Sequence, residues 1–240
     1  MSDSLHYTPD PSVDVSKRPG LFIVVEGGDG AGKSTQLKHL HQELETRGYS
    51  VISTREPGGT ELGEALRNLV LHGDAPVDAR TEALIFAASR AAHVQQKIAP
   101  ALHSGAIVLC DRYIASSAAY QGAGRDLGVE SIVDLSRWAT GDFQPDMTLV
   151  FELSDAEQAA RRTERGTVDR IEAENDEFKQ RIAGFFKEYA LSEAPSVHRV
   201  DASGTVDEVA SRVWALVEPA LEHADLKRTE SAEPEDKEQV

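Results

Sequence analysis

The octapeptide Gly27-Gly28-Asp29-Gly30-Ala31-Gly32-Lys33-Ser34 follows directly on the apolar run Leu21-Phe22-Ile23-Val24-Val25 and matches G-x-x-x-x-G-K-[ST] at every specified position. Strand, glycine-rich turn and helix in that order constrain the fold more than any other stretch of the chain. The glycines let the backbone curl so that successive N–H groups converge on phosphate oxygens, and the following helix adds its positive N-terminal end. In this arrangement Lys33 reaches the outer phosphates of a bound triphosphate and Ser34 holds Mg²⁺. Together with Gly27, Gly28, Asp29, Gly30, Ala31, Gly32 and Thr35 they form the expected nucleotide-binding loop.

Strand-like and helix-like segments alternate along the rest of the chain. Leu21–Glu26, Tyr49–Thr54, Ala106–Cys110, Met147–Leu153 and Val197–Asp201 read as strands. Lys33–Arg47 reads as a helix with Leu37, Leu40 and Leu44 on one face and Gly48 as its stop, and Thr81–Leu102 as a long helix ended by Gly105. Ser154 with Glu157, and Thr205 with Glu208, form capping boxes that open two further helices. This alternation predicts an α/β fold: a three-layer α/β/α architecture with a five-stranded parallel sheet surrounded by helices. The run Ala106–Cys110 is apolar throughout, as a strand buried on both faces must be. There is no internal repeat.

A chain of 240 residues has ample length for a proper core. Its formal net charge of −16 argues against nucleic acid or an anionic membrane as partner, because a polyanion is repelled at long range. A nucleotide must then be captured by a local cluster of cations. The single cysteine, Cys110, excludes an intrachain disulfide and sits where a buried structural thiol is expected. No apolar stretch approaches the ~20 residues that span a bilayer, and Met1–Gly20 lacks the apolar core of a secretory leader. A cytoplasmic enzyme is the expectation. Residues 1–19 and 223–240 are polar and without apolar periodicity, so they read as disordered tails flanking one domain at 20–222.

Further short motifs appear in a fixed order: Thr54-Arg55-Glu56-Pro57-Gly58-Gly59-Thr60, Phe86-Ala87-Ala88-Ser89-Arg90, Asp111-Arg112-Tyr113, Ser116-Ser117-Ala118-Ala119-Tyr120-Gln121-Gly122, and Asp169-Arg170-Ile171-Glu172. With the phosphate loop, this set closely resembles the bacterial thymidylate kinases, which phosphorylate dTMP to dTDP with ATP. The resemblance covers roughly Leu21 to Leu221. A phosphate loop alone is shared by many NTPases, whereas the ordered set is far more specific.

The chemistry so implied needs no strong general base, because the attacking phosphate oxygen of a monophosphate is already ionised near neutral pH. It needs two polyanions held in line and cations on the transferred group. Asp111 stands at the end of the third strand, where a parallel sheet opens onto its ligand crevice, so it can meet the metal held by Ser34; an Asp there could also simply cap a turn. Arg112 can clamp the acceptor phosphate and the migrating phosphoryl group with its planar fork, the alternative being a surface salt bridge.

The resemblance implies that Phe86 stacks on thymine and that Arg90, four residues later on the same helix face, hydrogen-bonds the base. It implies that Ser117, Tyr120 and Gln121 line base and sugar, with the bulk of Tyr120 excluding a ribose 2′-hydroxyl. Asp29 is expected at the deoxyribose 3′-hydroxyl, and Glu56 on the acceptor side. Arg67 is a further acceptor-site arginine by resemblance, although by itself it fits a solvated helix face equally well.

Arg161, Arg162 and Arg165 precede Gly166 at a helix end, where they could merely complement the helix dipole, an effect of about 0.3–1 kcal/mol. The functional alternative is a lid over about 161–172 whose arginines close on ATP. Some family members carry an Arg within the loop where this chain has Gly30, so the missing charge is expected from Arg161 and Arg165, which share a helix face. The family is usually homodimeric. Two rivals stay open on the sequence: a kinase for UMP, CMP or AMP, and a nucleotide-dependent switch, the latter without the Asn-Lys-x-Asp motif of guanine readers.

Overall fold

The computed structural model describes residues 18–154, 157, 170–171, 173–222 and 226. Five parallel strands form its centre: β1 (Leu21–Gly27), β2 (Val51–Arg55), β3 (Ile107–Asp111), β4 (Met147–Glu152) and β5 (Val197–Asp201), in the order β2-β3-β1-β4-β5. The expected five-stranded parallel sheet is therefore present.

Side chains alternate across a strand, so a strand covered on both faces must be apolar at every position. β1 follows this rule from Leu21 to Val25. Leu21, Ile23 and Val25 enter one buried cluster with Leu37, Leu40 and Leu44, while Phe22 and Val24 enter a second with Ile98 and Leu102. β3 divides in the same way, Ile107 and Leu109 to the first cluster and Val108 and Cys110 to the second. Cys110 is thus a core thiol, and burial pushes its pKa up.

Helix α1 (Lys33–Thr46) ends where Gly48 takes φ 81° and the Tyr49 N–H returns to the Leu44 carbonyl at 3.0 Å. That bond engages Tyr49 in the helix end, which is why β2 begins at Val51 rather than at the expected Tyr49. Helices α2 (Glu61–His72) and α3 (Ala79–His93) follow, the latter capped by the Asp78 side chain on the N–H groups of Arg80 and Thr81. The expected single helix Thr81–Leu102 is instead α3, a π-helical turn Val94–Ile98 and a short α4 (Ala99–His103). Pro100 has no N–H to return to Gln96, so a regular α-helical ladder cannot run through this point.

The chain continues through α5 (Ile114–Ser117) and a second π-helical segment, Ala118–Gly124, into α6 (Val129–Thr140), α7 (Asp176–Ala190) and α8 (Val206–Leu221). The Thr205–Glu208 capping box opens α8 as expected. Ser154 Oγ lies 3.4 Å from the Glu157 N–H, but the helix it was expected to open lies outside the described residues. Sequence analysis assigned neither α6 nor α7. The apolar series Phe178, Ile182, Phe186 and Ala190, all buried in α7, was nevertheless legible in the sequence.

Of the two tails, residues 1–17, 223–225 and 227–240 lie outside the described residues. Arg18, assigned to the N-terminal tail, is anchored: it donates to the Gln144 carbonyl at 2.8 Å, pairs with Asp146 at 2.9 Å and lies over the Phe143 ring. Among the described residues no helix is long and apolar enough to cross a membrane.

Candidate functional site

The pairings Val25↔Asp111 and Arg55↔Asp111 bring the C-terminal ends of β1, β2 and β3 level. The phosphate loop, the Asp111-Arg112-Tyr113 turn and the Glu56-Pro57 turn therefore open on one crevice, on the side of a parallel sheet where ligands bind. Gly30 and Gly32 adopt φ 86° and 88°, the left-handed conformation that lets consecutive N–H groups face inward. Lys33 Nζ donates to the carbonyls of Gly27 and Gly28 at 2.9 and 2.8 Å. Burial, reinforced by Arg112, pulls the Lys33 pKa down to about 8 against the opposing pull of Asp111, Asp29 and Glu26.

Ser34 Oγ donates to Asp111 Oδ2 at 2.9 Å, and the second carboxylate oxygen, Oδ1, is buried with no hydrogen-bond partner among the described residues. An orphaned anionic oxygen beside a hydroxyl is the donor set of a hard cation. The described residues contain no cluster of three or more acidic, His or Cys ligands. The Ser34–Asp111 pair fits Mg²⁺, which binds through one or two protein oxygens and completes its shell with phosphate and water.

Asp29 turns away from the loop amides. Its Oδ1 pairs with Arg112 Nη2 at 2.5 Å and its Oδ2 accepts from the Tyr120 hydroxyl at 2.6 Å. Burial opposes ionisation here, but Arg112, Lys33 and these hydrogen bonds outweigh it and hold the carboxyl well below the usual range. Arg112 also donates through Nη1 to the Gly27 carbonyl at 3.2 Å and to Ser116 Oγ at 2.9 Å. Burial disfavours its charge, yet Tyr120, Asp29, Asp111 and Glu26 raise its pKa further.

The backbone at Arg112 is left-handed, φ 71°, a conformation that costs a non-glycine residue about 1–2 kcal/mol. Glu26 holds the turn behind it. Its Oε1 accepts from the N–H groups of Tyr113 (2.8 Å) and Ser116 (3.1 Å), and its Oε2 from Ser116 Oγ at 2.6 Å. Burial raises the Glu26 pKa against these bonds and the charge of Arg112. Through Ser116, which accepts from Arg112 Nη1, the turn and one arm of Arg112 are held by an acid that sequence reasoning missed. Its signal was a lone acid closing an apolar strand.

The side of the crevice away from the phosphate loop is built around Arg90, which is 1% exposed. Its Nε donates to Glu56 Oε2 at 2.7 Å, Nη1 to Ser136 Oγ at 2.9 Å, and Nη2 to the Tyr113 carbonyl and Ser117 Oγ, both at 3.0 Å. Among the described residues these bonds leave one Nη1 N–H without an acceptor. Glu56 is committed on both oxygens, since Oε1 meets His93 Nδ1 at 3.0 Å while His93 Nε2 meets Thr54 Oγ1 at 2.7 Å. Glu56 therefore holds the Arg90 guanidinium and the His93 ring, contacts the sequence did not reveal.

Phe86 and Arg67 line the same cavity, Arg67 donating to the Pro57 carbonyl at 2.9 Å. So do Ser117, Tyr120 and Gln121, together with Asp29, Lys33, Ser34, Glu56, Arg90, Asp111 and Arg112. Each of these expected residues thus faces one enclosure, whereas Gly27, Gly28, Gly30, Ala31, Gly32 and Thr35 frame it through the loop. Arg161 and Arg165 lie outside the described residues. Besides Glu26 and His93, sequence reasoning missed Glu82, which precedes Phe86 and Arg90 at the same four-residue interval and is itself buried.

A thymidylate kinase family model matches residues 25–213. A thymidylate kinase of Synechococcus sp. (strain JA-3-3Ab) is 47% identical over 201 residues, 84% of this chain and 97% of the relative. One of Leifsonia xyli subsp. xyli (strain CTCB07) is 46% identical over 200 residues, 82% of this chain and 94% of the relative. The crystal structure of thymidylate kinase from Ehrlichia chaffeensis superposes with a TM-score of 0.67 at 31% identity, covering 83% of this chain and 98% of that one. With a family match that runs from the strand before the phosphate loop into the last helix, the chain belongs to the thymidylate kinase family.

Proposed function

We propose that this chain transfers the γ-phosphoryl group of ATP to dTMP, giving dTDP and ADP. The observation that carries this reading is the Asp29–Arg112–Tyr120 cluster. It joins the triphosphate loop to the pocket of Phe86, Arg90 and Gln121 within one cavity, as a two-substrate transfer requires.

An oxygen of the dTMP phosphate attacks the γ-phosphorus as the bond to the β–γ bridging oxygen breaks, and the released charge stays on ADP. Lys33 holds the β- and γ-phosphates, and Arg112 spans the incoming phosphate and the group in flight. Ser34 and Asp111 would hold Mg²⁺, which when bound neutralises charge on the phosphate oxygens. Phe86 offers its ring to the base, Arg90 its free donor and Gln121 its carbonyl. Ser117 supports Arg90 from the pocket wall, Asp29 and Tyr120 meet the sugar, and Arg67 adds positive charge beside Glu56 and Pro57. Arg161 and Arg165 are assigned the remaining charge at the γ-phosphate, on the family resemblance and on the glycine at position 30.

We assign the enzyme to the cytoplasm and infer that it is a homodimer. Helices α2, α3 and α6 lie side by side and carry the exposed Leu62, Leu69, Leu84 and Trp138, a surface that a second copy would cover. The family match disfavours both a UMP or CMP kinase and a switch protein.

ADP release measured with Mg-ATP and dTMP, dUMP, UMP, CMP or AMP tests the reading. Preferred turnover of dTMP is expected. Strong activity on UMP with none on dTMP would overturn it.

A further inference from the structure

Gln121 is wholly buried, and its two amide atoms are treated differently. Nε2 donates to Glu82 Oε1 at 3.0 Å, whereas Oε1 has no hydrogen-bond partner among the described residues although it is buried. A buried, unsatisfied carbonyl on a cavity-lining side chain calls for a donor from a ligand.

The orientation of the amide follows from Glu82. That carboxylate is 1% exposed and accepts from Arg125 through Nε at 3.2 Å and Nη2 at 3.0 Å, with Arg170 Nη2 at 3.7 Å. Arg125 is itself held by Glu174 and lies over the Phe178 ring. A carboxylate paired with arginine is an acceptor only. Turning the Gln121 amide over would set two acceptor oxygens against each other in a buried site, with the amide N–H₂ pointing into the pocket.

We infer that Glu82 is a specificity-setting positioning residue. By fixing the Gln121 amide with its carbonyl toward the pocket, it selects a pyrimidine that carries N–H at ring position 3 and rejects one whose N3 is an acceptor. Thymine and uracil have that donor. Cytosine does not, and its N3 would meet Gln121 Oε1 lone pair to lone pair. A site built to hydrogen-bond one partner discriminates strongly against an analogue that leaves its buried group unpaired. Glu82 is absent from the cavity lining, and of the side chains it contacts Gln121 is the one that lines the cavity.

This inference rests on dTMP being the substrate, and its test separates the two. Steady-state kcat and KM are measured for dTMP and dCMP with the wild type and Glu82→Gln, whose amide can face Gln121 with either atom. The expected result is a fall of at least tenfold in the dTMP-over-dCMP ratio of kcat/KM, arising in KM, with kcat for dTMP within about threefold of wild type. An unchanged ratio in a folded variant overturns the inference. Should Glu82→Gln not fold, the wild-type Gln121 side-chain amide is read by NMR, assigned by its loss in Gln121→Met. Slow hydrogen exchange and a single rigid environment support the fixed amide, and free exchange or rotation overturns it. A wild type inactive on dTMP would sink the parent reading, while the NMR result would still decide whether the amide is fixed.

Discussion

The Tyr120 hydroxyl donates to Asp29 Oδ2 at 2.6 Å across 91 residues of sequence, and the other oxygen of the same carboxylate pairs with Arg112. One side chain of the phosphate loop is thereby withdrawn from the loop's own anion-binding amides and made the hinge pin between the two substrate regions. An acid inside a phosphate loop would otherwise repel the ligand that the loop exists to bind. Held by Arg112 and Tyr120, it becomes part of the cavity wall.

The ring and the hydroxyl of Tyr120 have separable effects. Tyr120→Phe keeps the bulk and loses the bond to Asp29, so KM for dTMP should rise about three- to tenfold, the equivalent of one modest hydrogen bond. Discrimination against the ribonucleotide analogue of dTMP should persist. Tyr120→Ala should abolish that discrimination, because exclusion of a 2′-hydroxyl depends on volume. Comparing kcat/KM for the two sugars in both variants checks this, and a Phe variant that accepts ribose would count against steric exclusion.

Arg112 uses its fork in two directions at once, Nη2 to Asp29 and Nη1 to Gly27 and Ser116. A lysine preserves the charge but is a point donor without that geometry. Arg112→Lys should reduce kcat by about 10²-fold or more while leaving ATP binding within a few-fold. It also has to occupy the left-handed backbone position, a cost already present in the wild type. Single-turnover rates and ATP titration separate the two effects, and a kcat within threefold of wild type would remove Arg112 from the transfer step.

The fold was legible wherever a local signal sufficed. β1 and β3 are apolar at successive positions because both of their faces are covered, and Thr205 with Glu208 sits at the start of α8 as the capping pattern requires. The spacing of Phe86 and Arg90 likewise placed both on one wall of the cavity. Hidden from the sequence were carboxylates whose partners are remote. Glu26 meets Tyr113 across 87 residues, and Glu82 meets Gln121 and Arg125 across 39 and 43. Each reads as an unremarkable acid until the fold supplies its donors. The π-helical turns were hidden for a different reason: one extra residue per turn shifts the apolar period just where helix periodicity is being counted.

Asp29 also leaves a signature in stability against pH. Its folded pKa lies well below the ordinary value of 3.8, so ionised Asp29 stabilises the fold above that value. The contribution is fully present at neutral pH and is lost as pH falls through 3.8 toward the lower folded value. Asp29→Asn cannot titrate and leaves Arg112 without its charged partner. Urea denaturation should find the variant about 1–3 kcal/mol less stable at pH 7, with the gap unchanged at pH 6 and narrowing below about pH 4. An equal gap at pH 7 and pH 3.5 would mean that the pair contributes nothing through charge.

Charge balance at the γ-phosphate depends on the cations that can reach the loop. The described crevice offers Lys33 and Arg112 as the cations nearest the loop, and position 30, where related kinases place an arginine, is glycine. Arg112 is already engaged by Asp29 and by two oxygen acceptors, so it cannot alone match the charge that spreads over the transferred group. Arg161 and Arg165 are the sequence's remaining candidates for that work. Charge met only in the transition state raises kcat without tightening dTMP binding, so Arg165→Ala should lower kcat more than tenfold and leave dTMP affinity nearly intact. Gly30→Arg would supply a cation from the loop, at the cost of about 1–2 kcal/mol for a side chain at φ 86°, and combined with Arg165→Ala it should recover part of the lost rate. Rapid-quench measurement of dTDP formation in the single and double variants decides the matter, because an unchanged kcat in Arg165→Ala excludes that residue from the transfer.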